Sequence, residues 1–356
     1  LSWRLATAAG ESLILLGDGA GAARSDVLVR AFRIADGQPV WTARLEGSYR
    51  TSARGLGIAY VVHARADERG RATNELSAVD LSTGEVLATR SFEEPLAPDI
   101  VVADDAVLVF RVRTDGARAR QEAVTLDGSS LSLRGTVEMR DVAAFDDVGA
   151  YAQGSGVVAA LSDRRKLVGI AVATGAAVWE HDVSGAEVRS FHAVADGFVV
   201  VDTKDQLARI DAATGDAVWR RDVAGRHTIG WQGLAVADGL VVATVVPPGG
   251  AADSTAVALD AATGDELWRA TLALRRGTSA NPMPVICRDV VAYEVNERVS
   301  NRVYDSRVVL LSRTDGAQLQ TLSHPSIGQY FQQVVYDRGI LALARPGELA
   351  VYGSER

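Results

Sequence analysis

The sequence predicts an all-β fold: an eight-bladed β-propeller of four-stranded antiparallel blades, in a single domain over residues 1–356. Three observations predict it. A phrase made of an apolar run, a Thr or Asp, a Gly and a second apolar run recurs seven times. Short runs rich in Val, Ile and Leu lie between these phrases, and the two chain ends carry complementary parts of an eighth repeat. A period of roughly 40 to 50 residues built from strands is typical of a propeller.

The recurring phrase predicts a tight turn between two antiparallel strands. The residue before its glycine is always Asp or Thr, whose side-chain oxygen can accept a hydrogen bond from a nearby backbone N–H and hold the turn. Glycine supplies the positive φ that such turns need. The turn glycines are Gly37, Gly84, Gly128, Gly175, Gly215, Gly264 and Gly316, at successive spacings of 47, 44, 47, 40, 49 and 52 residues.

Apolar runs between the turns predict the other strands. They are four to seven residues long and rich in aliphatic residues, as buried strands are. The runs are Leu13–Leu16, Ile58–Val62, Val107–Phe110, Phe198–Val201, Leu240–Val246, Val290–Tyr293 and Ile340–Ala344. With two strands before the turn phrase, one leading into the turn and one leaving it, each repeat contains the four strands of a propeller blade.

The chain ends predict how the last blade is completed. Leu1–Leu5 is similar to the strands that follow the turns, such as Val218–Val223, but no turn precedes it. Glu348–Tyr352 is similar to the strands that precede the turns, but no strand follows it. We therefore expect the N-terminal strand to close the last blade by strand pairing, which removes an open sheet edge.

Longer segments are concentrated on one side of the predicted blades. Four insertions, between the second and third strands, are Arg65–Glu75, Arg113–Gln121, Pro247–Thr255 and Asn296–Ser306. In a propeller these loops share a face with the connections between blades, and such a face often binds a partner. The candidate partner-binding residues in those connections are Arg50, Arg226, His227, Trp231, Arg275, Arg276, His324 and Tyr330. Trp231 is a candidate aromatic anchor, and ordinary packing with solvated arginines is the alternative.

Four of the six tryptophans occupy one position of the repeat. Trp41, Trp179, Trp219 and Trp268 each follow a turn glycine by four residues, whereas the other repeats have Ala88, Ser132 and Gln320 there. A large aromatic residue repeated in this way predicts packing between neighbouring blades rather than catalysis.

The residues around three turns carry a recognisable motif. Asp211–Trp219, Asp260–Trp268 and, in part, Asp80–Leu87 follow the pattern D-[AL]-[AS]-T-G-[ED]-x-[LV]-W. This pattern resembles the tryptophan-docking repeat of the PQQ-like β-propellers, and the resemblance covers the whole chain at the level of repeats. It implies that the four repeated tryptophans stack on a neighbouring blade and that Trp3 does so for the last blade.

The resembled family has two functional branches, and fold alone does not choose between them. Quinoprotein dehydrogenases use the quinone PQQ with calcium and often a pair of adjacent cysteines. The other branch has no cofactor and includes the lipoprotein scaffold of outer-membrane β-barrel assembly and extracytoplasmic sensor domains. This chain has a single cysteine, Cys287, is shorter than the usual dehydrogenase, and shows no recognisable calcium motif. We therefore expect no cofactor and no catalytic residues.

Charge and histidine spacing exclude other classes of function. A formal net charge of −8 argues against nucleic-acid binding. The five histidines show no metal-ligand spacing, so no metal site is expected. No apolar run is long enough for a membrane helix. The chain starts at Leu1 without Met, so we expect a trimmed N-terminus from which a signal peptide or membrane anchor could have been removed.

The leading hypothesis is a non-catalytic, extracytoplasmic scaffold or sensor of the bacterial cell envelope. It would bind a protein or peptide partner through the loop-rich face. A PQQ-dependent dehydrogenase and a propeller that binds a sugar or another small ligand are the alternatives.

Overall fold

The regular elements of the described chain are all β-strands, 31 in number. Among the described residues no helix is long and apolar enough to cross a bilayer. The computed structural model describes residues 2–9, 12–18, 26–33, 35–66, 72–115, 118–139, 149–152, 154–183, 185–225, 227–247, 253–273, 283–300, 303–326, 333–337, 340–345 and 348–353.

The described strands form eight sheets, seven with four strands and one with three, each with its strands side by side in chain order. These are the blades of an eight-bladed β-propeller, so the predicted fold class is confirmed. We number the blades 1 to 8 along the chain. The chain divides into two compact units, residues 1–188 with 212–215 and residues 189–211 with 216–356. The expectation of a single domain stays a prediction.

Blades 1 to 4 come from the first half of the chain. Blade 1 contains β1 (Ser2–Ala9), β2 (Ser12–Asp18), β3 (Asp26–Arg33) and β4 (Pro39–Glu46). Blade 2 contains β5 (Ser48–Gly55), β6 (Ile58–Ala66), β7 (Ala72–Asp80) and β8 (Val86–Phe92). Blade 3 contains β9 (Leu96–Ala103), β10 (Ala106–Asp115), β11 (Arg118–Asp127) and β12 (Leu133–Met139). Blade 4 contains β13 (Gly149–Ala152), β14 (Val157–Asp163), β15 (Lys166–Ala171) and β16 (Ala176–Asp182).

Blades 5 to 8 come from the second half. Blade 5 contains β17 (Val188–Val194), β18 (Gly197–Asp202), β19 (Gln206–Asp211) and β20 (Ala217–Asp222). Blade 6 contains β21 (Thr228–Ala237), β22 (Leu240–Val246), β23 (Ser254–Asp260) and β24 (Glu266–Leu272). Blade 7 contains β25 (Met283–Ile286), β26 (Val290–Ser300), β27 (Val303–Ser312) and β28 (Gln318–Ser326). Blade 8 contains β29 (Gln333–Asp337), β30 (Ile340–Arg345) and β31 (Glu348–Gly353).

The core lies between the faces of consecutive blades. Within the first unit one cluster joins blades 1 and 2, a second joins blades 2 and 3, and a third joins blades 3 and 4. In the second unit, clusters join blades 5 and 6 and blades 6 and 7. The second strand of a blade is buried on both faces, as in Phe198–Val201. This explains why these strands are continuous apolar runs, each large side chain of which contributes about 1.5–3 kcal/mol when buried.

Six of the seven predicted turn glycines have positive φ, between +65° and +76°. The seventh predicted turn glycine, Gly128, does not have a positive φ. In blade 3 the left-handed residue is Leu131 (φ +53°), whose N–H donates to the Asp127 carbonyl oxygen, as the Gly84 N–H donates to that of Asp80. Oδ1 of Asp127 accepts hydrogen bonds from the backbone N–H groups of Ser129 and Ser130. This aspartate therefore sets the position of the turn.

The N-terminal strand differs from the prediction for Leu1–Leu5. β1 pairs with β2 from Ser2 opposite Asp18 to Ala9 opposite Ser12, so it belongs to blade 1, and blade 8 has three described strands. No Gly or Pro interrupts residues 1–9. The extended run therefore continues along β2, with only a register shift between Trp3 and Leu5.

Strands extend into the predicted insertions. The insertion predicted at Arg65–Glu75 is largely strand, because β6 ends at Ala66 and β7 begins at Ala72. The insertion at Asn296–Ser306 is a hairpin, because β26 continues to Ser300 and β27 begins at Val303. The described residues of these two segments are therefore strand residues.

Candidate functional site

The candidate partner-binding residues fall into three groups. Arg50 and His227 are described and exposed. Trp231 and His324, predicted in connections, lie inside strands β21 and β28 instead, and their side chains are outside the described part. The remaining four are outside the described residues: Arg226, Arg275, Arg276 and Tyr330. The structure therefore gives the backbone setting of two short segments, one around Arg50 and one around Trp231.

Arg50 is the extra residue of a β-bulge near the start of β5. Tyr49 pairs with His63 and Thr51 pairs with Val62, so Arg50 has no partner residue on β6. A bulge of this kind bends the strand and redirects a side chain. It explains why an arginine in the first strand of a blade is exposed.

The main chain before Arg50 is held tightly against β6. Gly47 has φ +112°, and a Cβ atom there would lie 2.3 Å from the carbonyl oxygen of Ala64. His63 is buried, and its Nδ1 lies 2.8 Å from the carbonyl oxygen of Glu46. Because a carbonyl oxygen only accepts, Nδ1 carries the hydrogen and donates it. The imidazole thus fixes the connection between blades 1 and 2.

The other side of the His63 ring completes a buried polar chain. Nε2 lies 2.9 Å from Oγ of Ser77, and Ser77 Oγ lies 2.9 Å from Oγ1 of Thr89. Burial lowers the pKa of His63, although the Glu46 carbonyl and the nearby Glu75 carboxylate oppose this shift. Ser77 is itself buried, so this chain supports the fold and cannot present a nucleophile to solvent.

The segment that leads to Trp231 is anchored by backbone hydrogen bonds. The N–H of His227 donates to the carbonyl oxygen of Ala224 at 2.9 Å. Two residues later, the N–H of Ile229 donates to Oδ1 of Asp205 at 2.9 Å. Asp205 is in turn held by Nη1 of Arg189 at 2.5 Å. The entry into β21 is therefore fixed in place by a neighbouring turn of blade 5.

Trp231 lies in a wide bulge of β21. The four residues 230–233 of β21 face the single residue Thr244 of β22. Gly230 and Gly233 are the first and last residues of the bulge. A Cβ atom on Gly233 would lie 2.9 Å from the Gly230 carbonyl oxygen. The close spacing of two glycines around one tryptophan is a signal that sequence reasoning could have used to find this bulge.

The repeated tryptophans lie on the turn glycine of the following blade. A Cβ atom on that glycine would come within 2.6–2.7 Å of the indole ring in each of four pairs: Trp41 on Gly84, Trp179 on Gly215, Trp219 on Gly264 and Trp268 on Gly316. Three of the indoles also donate a hydrogen bond from Nε1 to a carbonyl oxygen, Trp179 to Ala212, Trp219 to Ala261 and Trp268 to Arg313. Trp3 lies in β1, and its side chain is outside the described part.

Blades 2 and 3 make the same kind of contact without tryptophan. Ala88 takes the tryptophan position, and Leu131, fully buried, takes the glycine position and packs in the same cluster. The Tyr60 hydroxyl donates to the Gly128 carbonyl oxygen at 3.0 Å. Gly128 lies three residues before Leu131, and the carbonyl three residues before the turn glycine accepts the indole N–H in three other blades. Burial and the charge of Asp127 raise the pKa of Tyr60 to about 12, so the hydroxyl keeps its proton.

A second hydrogen bond between blades is common to both kinds of contact. It comes from the residue two positions after the tryptophan or its substitute. The donors are Arg90 to the carbonyl of Leu131, His181 to that of Gly215 and Arg221 to that of Gly264. In blade 3 the left-handed turn residue is Leu131 rather than Gly128, so the position four residues later is Gly135 and not Ser132. A Cβ atom on Gly135 would lie 2.9 Å from Cα of Gly175.

No metal site was found among the described residues. No group of three His, Cys, Asp or Glu side chains there could hold a metal ion. Cys287 is buried, and burial raises the pKa of its thiol to about 11.

Comparison with known proteins identifies the family. A family model described as outer membrane protein assembly factor BamB matches residues 25–196 and 163–352. The repeats and the blades define a PQQ-like β-propeller. The chain belongs to the outer membrane protein assembly factor BamB family. No curated protein sequence matches it.

Solved structures share the fold over nearly the whole chain. BamB from Moraxella catarrhalis matches with a TM-score of 0.61 and 15% identity, covering 98% of this chain and 95% of that chain. The computationally designed Ika8 protein matches with a TM-score of 0.61 and 13% identity, with the same coverage. Dihydro-heme d1 dehydrogenase NirN, in complex with DHE, matches with a TM-score of 0.60 and 15% identity, covering 92% and 68%. At these identities the similarity shows the fold alone.

Proposed function

We propose that this chain is a non-catalytic scaffold of the cell envelope that binds a protein or peptide partner. Its place in the outer membrane protein assembly factor BamB family supports an envelope location and a protein partner. A sensor domain with the same kind of binding surface is compatible with this proposal.

The observation that carries the proposal is the anchored bulge at residues 230–233. Its entry is fixed by the Asp205 carboxylate on the Ile229 N–H, and it contains Trp231 between two glycines. Tryptophan and arginine are frequent energetic centres of protein interfaces. A segment that is already ordered loses little conformational entropy on binding, which favours affinity. His227 and Arg226 precede the bulge and complete the proposed surface.

The test compares capture of partners by the wild-type chain and two variants. Wild-type protein, Trp231→Ala and Arg226→Ala are used as bait in detergent-solubilised envelope extract, and captured proteins are identified by mass spectrometry and then purified. We expect one protein to bind the wild type and to bind Trp231→Ala at least tenfold more weakly in a purified assay. Arg44→Ala serves as the control, because Arg44 is exposed and lies on the outer strand β4. Equal binding by wild type and Trp231→Ala would overturn the proposed surface.

A further inference from the structure

A cleft of about 290 Å³ lies between the outer strand of blade 2 and the face of blade 3. Leu133 is the exposed apolar residue of its lining, Phe92 and Val124 lie buried beneath it, and Arg90, Glu93 and Arg111 contribute polar groups. Leu133 is 53% exposed, so an apolar surface is open to solvent here. The cleft shares no residue with the surface proposed around Trp231.

The cleft lies along the one strand that has alanine at the position of the docking tryptophan. Ala88, Arg90 and Phe92 alternate along β8 and therefore share a face. Arg90 is folded back, with Nη1 on the Leu131 carbonyl oxygen and its guanidinium over the Phe92 ring.

β8 is also an edge strand with little protection. It is the last strand of its sheet, and no further described strand pairs with it. Its only charged residue is Arg90, whose guanidinium is engaged as described, while Val86 and Leu87 are each 40% exposed. Proline, glycine or several charged residues occur on the other outer strands of the described blades: β4, β12, β16, β20, β24 and β28. An unprotected edge offers unpaired N–H and C=O groups to another strand.

The cleft carries a negative charge at the end of β8. Glu93 directly follows the strand, is exposed, and its carboxylate has no hydrogen bond or ion pair with another described residue. Glu94, by contrast, lies 3.6 Å from Nη1 of Arg111, and Arg111 is itself held by Glu122 at 2.7 Å. Glu93 is therefore the free anionic group beside the apolar lining.

We propose that β8 and this cleft bind an extended strand of a partner polypeptide. The strand would pair with the β8 backbone, place an apolar side chain on the exposed Leu133, and bring a lysine or arginine to Glu93. Addition of a strand to an exposed sheet edge is a known mode of peptide recognition, in which the backbone gives affinity and the pockets give specificity. This inference rests on the proposed function as a polypeptide-binding scaffold and assigns it a second surface and the chemistry of its ligand.

The probe is the fluorescein-labelled peptide Lys-Val-Thr-Leu-Thr-Val-Thr-Lys, measured by fluorescence anisotropy with the whole chain. We expect saturable binding that weakens at least tenfold in Leu133→Lys, which charges the lining, and at least fivefold in Glu93→Lys. Leu267→Lys is the matched control, because Leu267 is 52% exposed on the outer strand β24 of blade 6; its affinity should equal that of the wild type. Thermal unfolding of each variant verifies that it is folded.

Two further peptides test the mode of binding. A peptide of the same composition with its apolar residues contiguous should bind at least tenfold more weakly, and so should one N-methylated at every second residue, since strand pairing needs the N–H groups. Undiminished binding of the N-methylated peptide, equal binding by Leu133→Lys and Leu267→Lys, or no binding to the wild type would overturn the inference. Trp231→Ala should leave peptide affinity unchanged, so failure of the Trp231 surface and failure of this cleft give different results.

Discussion

At the scale of residues, the contact between neighbouring blades depends on glycines that lie beneath an indole. Two separate reasons require glycine at position 264. Its φ is +71°, and Trp219 occupies the space where a Cβ atom would lie. Gly37 has a similar φ of +69°, but no described atom lies within 4 Å of its Cβ position. A comparison of substitutions at the two glycines therefore separates the energetic cost of left-handed backbone from the cost of packing against the indole.

Gly264→Ala should lower the free energy of unfolding by about 2–5 kcal/mol. Left-handed backbone contributes roughly 1–2 kcal/mol of this loss and overpacking against the indole about 1–3 kcal/mol. Gly37→Ala is the matched control and should lose only the backbone part. Urea unfolding followed by tryptophan fluorescence measures both, and equal losses would contradict the packing role assigned to Gly264.

His63 should make stability depend on pH. Because burial lowers its pKa in the folded chain, the unfolded chain binds a proton first as the pH falls below the ordinary histidine value of 6.5. The contribution of neutral His63 is therefore complete above that pH and decreases as the pH falls towards the folded-state pKa.

His63→Gln should lower the free energy of unfolding by about 1–3 kcal/mol at pH 8, because buried hydrogen-bond partners are left unsatisfied. Between pH 7 and pH 5 the free energy of unfolding of this variant should fall less than that of the wild type. Urea unfolding at several pH values measures this difference. The exposed His227, replaced in the same way, provides the control and should leave the pH profile unchanged. An unchanged pH profile in His63→Gln would contradict the role of His63.

At the scale of elements, two different arrangements join the outer strand of one blade to the turn of the next. One pairs tryptophan with glycine, and the other pairs Ala88 with Leu131 and adds the Tyr60 hydroxyl. The second also combines apolar packing with a hydrogen bond to a turn carbonyl, but distributes them over three residues. Close packing favours such exchanges, because what matters is total volume and shape at the contact.

An exchange of the two arrangements should show favourable coupling. Leu131→Gly alone should cost about 2–5 kcal/mol as a buried large-to-small change, and Ala88→Trp alone should be destabilising because Leu131 occupies the space. The double variant should recover about 1–3 kcal/mol relative to additivity. Denaturant unfolding of the four proteins gives the coupling, and simple additivity would show that the two positions are independent.

At the scale of the whole molecule, the repeated blades provide edges, bulges and connections on which binding surfaces can be built. The proposed surfaces use features that break the repeat: the bulge at residues 230–233 and the tryptophan-free edge of β8. Stability comes from the regular positions, so the irregular ones are free to differ between proteins of one fold.

The quinoprotein alternative gives a direct test of the non-catalytic proposal. Addition of PQQ and calcium should produce neither a saturable absorbance change nor reduction of an electron-accepting dye. The physical reason is that the sequence lacks the pair of adjacent cysteines that is typical of many quinoprotein dehydrogenases, and its single cysteine, Cys287, is buried. A purified quinoprotein dehydrogenase is the positive control, and dye reduction by this chain would contradict the proposal. A glycan array tests the sugar-binding alternative in the same way.

The sequence by itself determined the number and order of the blades. Turn chemistry at Thr214–Gly215 and continuous apolar runs such as Phe198–Val201 are local properties, and they repeat often enough to fix the fold class. The membership of the family follows from the same repeats.

Only the tertiary structure decided where the repeat is broken. Leu131 takes a left-handed conformation because Asp127 fixes the turn, and its side chain packs in the cluster that also contacts Ala88 of blade 2. The pairing of β1 with β2 and the bulges at Arg50 and Trp231 likewise depend on the neighbouring strand. These features arise from contacts between residues that are distant in sequence, and a local pattern carries no information on which distant side chain will fill a given space.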